Sequence, residues 1–173
     1  MPKEKTQDLR AHYYWSQVKK HGAKYPHFHW PSVEIILNLV YTYDVISGDM
    51  ARKMASHGIT KAAFSVLMIL SRSESKSAKQ NEISQLMLVS RANITGLVDG
   101  LVRMGLVKRT NDPHDRRVNM VIILPKGEKL IENLLPGYYK YIQDMCSVLS
   151  AEDKKILSEL LTRLRNKVSA SKG

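Results

Sequence analysis

The sequence predicts a mainly α-helical fold with one small β-hairpin, and three observations carry that prediction. Apolar residues recur at helical spacing over most of the 173 residues, Gly and Pro cut the chain into helix-sized pieces, and one short stretch alternates instead. The length suits one ordinary domain, and 43% hydrophobic with 25% charged residues supplies a core and excludes wholesale disorder. The longest nearly apolar stretch, Ala62 to Leu70, is broken by Ser65 and falls far short of the ~20 residues that cross a bilayer, so no membrane partner is expected. The N-terminus opens on mixed charges with no apolar run before a cleavage site, which points to the cytoplasm.

Residues 1–31 read as a basic, aromatic and histidine-rich arm. From Val33 the residues Ile36, Leu37, Val40, Ile46, Met50 and Met54 keep a helical beat up to Gly58, making 32–58 a long first helix. Thr60 is placed to cap a second helix carrying Phe64, Leu67, Met68 and Leu70, which ends in a polar connection from Ser71 to Gln80. Asn81 is expected to cap a short third helix with Ile83, Leu86 and Met87. Ser90 then caps a fourth, whose Ile94, Leu97, Val98 and Leu101 share one face before Gly105 stops it. Between these helices Leu88 occupies a position where helix-turn-helix proteins often use Gly for a positive φ, so a turn of different geometry is expected.

After Gly105 the period drops to two at Val118, Met120, Ile122 and Leu124, and Asn111, Asp112 and Pro113 form a turn before this strand. Pro125 opens a further helix with Leu130, Ile131, Leu134 and Leu135, in which Pro136 could be a kink or a break. Ser150 and Asp153 form a capping box for a last helix whose Ile156, Leu157, Leu160, Leu161, Leu164 and Val168 make a stripe in need of a partner surface.

Short helix, tight turn, second helix and two-stranded wing with a cationic tip amount to a winged helix-turn-helix over residues 59–124. With its apolar face inward, the fourth helix turns Ala92, Asn93, Thr95, Gly96, Asp99 and Arg103 outward, with Ser90 and Arg91 at its start. Asn93 suits adenine, Arg91 a guanine or phosphate, and the methyls of Ala92 and Thr95 a thymine methyl. The net charge of +11 points to double-stranded DNA as partner, but it is spread along the chain and fits a solubilising surface equally well.

The runs Val89-Ser90-Arg91-Ala92-Asn93-Ile94-Thr95-Gly96-Leu97-Val98-Asp99-Gly100-Leu101, Gly105-Leu106-Val107, Asp112-Pro113-His114-Asp115-Arg116-Arg117 and Leu124-Pro125-Lys126-Gly127 stand in register. In this order the chain resembles MarR-family transcription regulators from about Val33 to Val168. The resemblance implies a homodimer whose body comprises the first helix and the C-terminal helices of 125–173, with two recognition helices on a pseudo-palindromic operator. It also implies a repressor released by a small effector, often an aromatic acid. In the wing it implies that Arg117 enters the minor groove, oriented by Asp115, while Lys108, Arg109 and Arg116 contact phosphates. Gly96 departs from the basic residue that many relatives carry there. Two mid-helix glycines, Gly96 and Gly100, cost about 1 kcal/mol each relative to Ala, and are expected to let DNA or a neighbouring helix approach closely.

Both tryptophans and four of six histidines fall within residues 12–30. Trp15, His21, Tyr25, His29 and Trp30, with Tyr41 and Tyr43 from the first helix, could cage an aromatic acid or thioester effector. The competing reading is that the arm staples onto the dimer partner. A metal-responsive reading would use His21, His27 and His29, but Pro26 and Pro31 oppose the strand that would align them, and no metal or cofactor is expected. Cys146, the single cysteine, reads as a small buried hydrophobe rather than a redox switch. The remaining alternative is an architectural, nucleoid-type protein using the same head without an effector. No nucleophile elbow, phosphate-binding loop, HExxH pair or paired carboxylates occur, so no catalysis is expected.

Overall fold

The computed structural model describes residues 9–112 and 118–170. Helix α1 (Leu9–Tyr13) passes through a π-helical turn, Tyr14–Val18, into α2 (Lys19–Gly22); α3 (Trp30–Ala55) and α4 (Lys61–Arg72) follow. Then come β1 (Ser77–Lys79), α5 (Gln80–Leu86), α6 (Arg91–Arg103), β2 (Val107–Asn111), β3 (Asn119–Ile123), α7 (Pro125–Met145) and α8 (Ala151–Ala170). The chain forms two compact units, Met1–Phe64 and Ser65–Gly173. No helix among the described residues is long and apolar enough to cross a membrane.

In the first unit, α3 begins at Trp30 rather than near Val33. Pro31 occupies its first turn, where the missing N–H would have lacked a partner, and the N–H groups of Ser32 and Val33 both reach the His29 carbonyl at 3.1 Å. Thr60 caps α4 as expected, its Oγ1 accepting the Ala63 N–H at 3.0 Å.

The second unit is built on Val66, Leu67, Leu70, Ile83, Ile94, Val98, Leu101, Leu106, Val107, Val121 and Ile131, all buried. Its sheet has three antiparallel strands in the order β1-β3-β2, with Ala78 and Arg109 flanking Val121 from either side. The third strand lies in the stretch expected to be a plain connection. Ser77–Lys79 is too short and polar to show alternation; the open edge of β3 makes it a strand. Pairing also moves the start of α5. Lys79 takes the N-cap position expected of Asn81, its N–H donating to Glu82 Oε2 at 3.3 Å, while Asn81 Oδ1 accepts the Glu82 N–H at 2.9 Å. Ile83 of α5 is fully buried, whereas Leu86, expected on the same inner face, is 68% exposed.

Three helices end in one six-residue pattern. Gly58 donates to Ala55 O and Ile59 to Met54 O; Gly105 donates to Val102 O and Leu106 to Leu101 O; Leu88 donates to Gln85 O and Val89 to Ser84 O. The pivot has φ of 75° at Gly58, 68° at Gly105 and 55° at Leu88. The expectation of a different turn at Leu88 is therefore corrected: the ordinary geometry forms, at a cost of roughly 1 kcal/mol for placing a Cβ in the left-handed region.

Helix α7 runs unbroken through Pro136. At its start a Cβ on Gly127 would lie 2.4 Å from the Leu106 carbonyl oxygen, so only Gly lets this turn sit against the end of α6. The capping box opens α8, with Ser150 N–H donating to Asp153 Oδ2 at 3.0 Å and Asp153 N–H to Ser150 Oγ at 3.1 Å. Ile156, Leu157, Leu160, Leu161 and Val168 are all exposed in the single chain. Cys146 is half-buried rather than buried, and lies in a 3-10 turn, Cys146–Val148, that follows α7 and buries none of its residues.

Candidate nucleic-acid interface

The position of α6 follows from its cap and its buried face. Ser90 Oγ accepts the Asn93 N–H at 3.2 Å, which fixes the first turn. Ile94, Val98 and Leu101 are buried, so the 3.6-residue period leaves Arg91, Ala92, Asn93, Thr95 and Gly96 in water. Leu97, expected in the core, is half-buried. Around Gly96 nothing lies within 4 Å of an added Cβ, and at Gly100 only Arg103 Nη2 does, at 3.9 Å. Packing within the chain therefore explains neither glycine.

Polar clasps hold α6 on two sides. Thr95 Oγ1 donates to the Arg91 carbonyl at 2.9 Å and accepts from Gln80 Nε2 at 2.9 Å, tying α6 to the first residue of α5. On the other side Asp99 Oδ1 pairs with Arg109 Nη1 of β2 at 2.9 Å. Arg109, expected to face a phosphate, pairs with α6 while remaining exposed, and Lys108 beside it is exposed too. Gln80 escaped the sequence reading because its place at a helix start depends on β1. Its Oε1 is buried without a hydrogen-bond partner among the described residues, beside an open cleft of about 320 Å³ lined by Gln80, Asn81, Arg91, Thr95 and Asn119.

The wing is closed at its base by the Asp112 N–H donating to Val118 O at 2.8 Å, and Lys79 Nζ lies 3.5 Å from the largely buried Asp112 carboxylate. The tip residues Asp115, Arg116 and Arg117 lie outside the described residues.

The seven arm and first-helix residues do not form one cage within a chain. Trp15 Nε1 donates to Glu34 Oε1 at 3.1 Å, and Lys19 Nζ stands 5.2 Å over the Trp30 ring, so both tryptophans gather at the start of α3. Phe28 packs at 6.5 Å from Trp30 and over Gly22, where a Cβ would collide with its ring. Tyr43 is thirteen residues along α3 from Trp30, about 20 Å at 1.5 Å per residue, and pairs instead with Lys61. Tyr41 is half-buried, His21 and Tyr25 are exposed, and His29 Nδ1 lies 2.8 Å from Ser32 Oγ. No set of three His, Cys, Asp or Glu side chains among the described residues could hold a metal, so His21, His27 and His29 are not brought together.

Comparison with known proteins bears on this geometry. The model of the MarR family matches residues 57–118. The chain is 31% identical over 133 residues to the HTH-type transcriptional regulator MhqR of Bacillus subtilis, covering 77% of this chain and 90% of that protein. To the HTH-type transcriptional repressor YetL of the same organism it is 27% identical over 158 residues, covering 91% of this chain and 95% of that protein. Among solved structures, Sco3205, a MarR family transcriptional regulator from Streptomyces coelicolor crystallised in complex with DNA, superimposes with a TM-score of 0.76 at 17% identity, over 83% of this chain and 92% of that one.

Proposed function

The chain belongs to the MarR family of transcriptional regulators, and from that premise we propose that it is a homodimeric repressor that reads a pseudo-palindromic operator through α6 and lets go when a small aromatic effector binds. The observation that carries the DNA-reading assignment is the first turn of α6, capped by Ser90, set by three buried side chains and turned to water at Arg91, Ala92 and Asn93. Asn93 pairs with an adenine edge, Arg91 with guanine or phosphate, and Ala92 and the methyl of Thr95 with thymine. Lys108 and Arg116 meet phosphates, Arg117 enters the minor groove with Asp115 orienting it, and Arg109 supports the reading helix through Asp99. The sharing of labour follows the chain: 59–124 reads DNA, while 32–58 and 125–173 pair with a second copy.

The effector is an aromatic acid or its thioester, and the arm of residues 1–31 takes part in holding it. The support is the cluster of Trp15, Trp30 and Phe28 with Lys19 beside it, which offers ring faces and a cation to a planar anion. A thermal-shift screen with benzoates tests this: stabilisation by a benzoate that is lost in Trp30→Ala supports the arm, and stabilisation unaffected by that change excludes it.

The DNA assignment is tested by fluorescence anisotropy on an operator selected from random duplexes. Arg91→Ala lowers the slope of log affinity against log salt by about one if it meets a phosphate. Asn93→Ala costs about 1–3 kcal/mol at one base pair of each half-site; a uniform loss across all sequences would remove direct reading by Asn93.

A further inference from the structure

We infer that Leu88, with Leu86 two residues before it, forms an apolar contact with thymine methyl groups at the edge of the operator half-site. The inference rests on the assignment of α6 as the reading helix. Leu88 is 93% exposed and Leu86 is 68% exposed, so neither is kept for the core. Leu88 also sits at a pivot that the chain fills with Gly at the two other helix ends of identical hydrogen bonding, Gly58 and Gly105. The backbone bonds of this motif form with any residue but Pro at the pivot, and Gly forms them with least strain. A leucine there adds strain without burial, which is explained if its side chain meets something outside the chain.

Position and charge identify the occupant. The turn leads directly into Ser90, Arg91, Ala92 and Asn93, so whatever α6 enters lies beside Leu88. From Gln80 to Ser90 the only charged residue is Glu82, leaving the turn no cation for a phosphate. The apolar group that DNA presents in its major groove is the thymine methyl.

The unusual backbone makes the test clean, because removing the side chain should not harm the fold. Leu88→Gly in the full chain is expected to melt at a higher temperature yet bind the selected operator about tenfold more weakly. Replacing thymines by uracil one at a time should weaken wild-type binding about threefold at the contacted position and leave the variant unaffected there. Unchanged affinity of Leu88→Gly, or the same uracil pattern in both proteins, overturns the inference. Should Leu88→Gly not fold, Leu88→Asn also tolerates positive φ and carries the same expectation. If Arg91→Ala and Asn93→Ala are silent as well, the assignment of α6 itself fails; if they act and Leu88→Gly is silent, only this contact does.

Discussion

Gly96 lies on the water side of α6 with open space where a side chain would stand, although Ala in the same place would favour the helix by about 1 kcal/mol. The chain thus accepts a less stable helix at the centre of the face assigned to DNA. Gly96→Ala is expected to raise the melting temperature by a few degrees while weakening operator binding, as read by calorimetry and anisotropy on the same preparation. Equal or tighter binding would mean that nothing approaches the backbone there. Thr95, one residue earlier, has its hydroxyl engaged with Gln80 and Arg91, so that under the proposed DNA reading its methyl is the group left to meet a base. A threonine read from sequence offers both groups; only the partner fifteen residues away decides which is left.

At the scale of elements, protonation acts on the capping box of α8 with a definite sign. Hydrogen bonds from the Ser150 hydroxyl and backbone N–H hold the Asp153 carboxyl below its ordinary value of 3.8. A lowered folded-state value means that the cap's contribution is complete above about pH 4 and is lost as pH falls through the lowered value. Circular dichroism between pH 5 and 2 should therefore show fraying of α8 with acid in the wild type. Asp153→Asn should lack that part of the transition; an identical acid profile would show that the box does not hold the helix start.

The elements with strong local chemistry were legible in the sequence: the Thr60, Ser90 and Ser150 caps, the Gly105 stop and the existence of a strand before Pro125 all describe what forms, but the strand buries Val121 and Ile123 and leaves Met120 and Ile122, the alternation read from the sequence, half-buried. The misplaced elements depend on distant partners. Ser77–Lys79 is a strand because β3 offers an edge, α5 starts early because that strand precedes it, and Leu88 adopts a glycine's conformation because Ser84 and Gln85 offer acceptors. Of the candidate site, the exposed first turn of α6 was readable from period alone. The Asp99–Arg109 pair was not, since only the fold brings β2 beside α6.

At the scale of the whole molecule, the apolar stripe on α8 is left uncovered within one chain. Ile156, Leu157, Leu160, Leu161 and Val168 stay exposed in one chain, and α3 adds Ile35, Ile36, Leu39 and Val40. Under the proposed homodimer these surfaces meet a second copy. Leu160→Glu is expected to convert a dimer to a monomer in sedimentation experiments and to lower operator affinity by about 100-fold, because each half-site then binds alone. Retention of the dimer would move the interface elsewhere.

The three-stranded order has a mechanical consequence. Starting at β3 one passes to β1, from Lys79 into Gln80, across to Thr95, along α6 to Asp99, across to Arg109 and through β2 back to β3. This is a closed ring of contacts, two of them made by side chains. The two contacts link α6 to both neighbouring elements, so that movement of α6 relative to the wing's base breaks at least one of them. Substitutions at Gln80 or Arg109, far apart in sequence, are therefore expected to disturb the same helix.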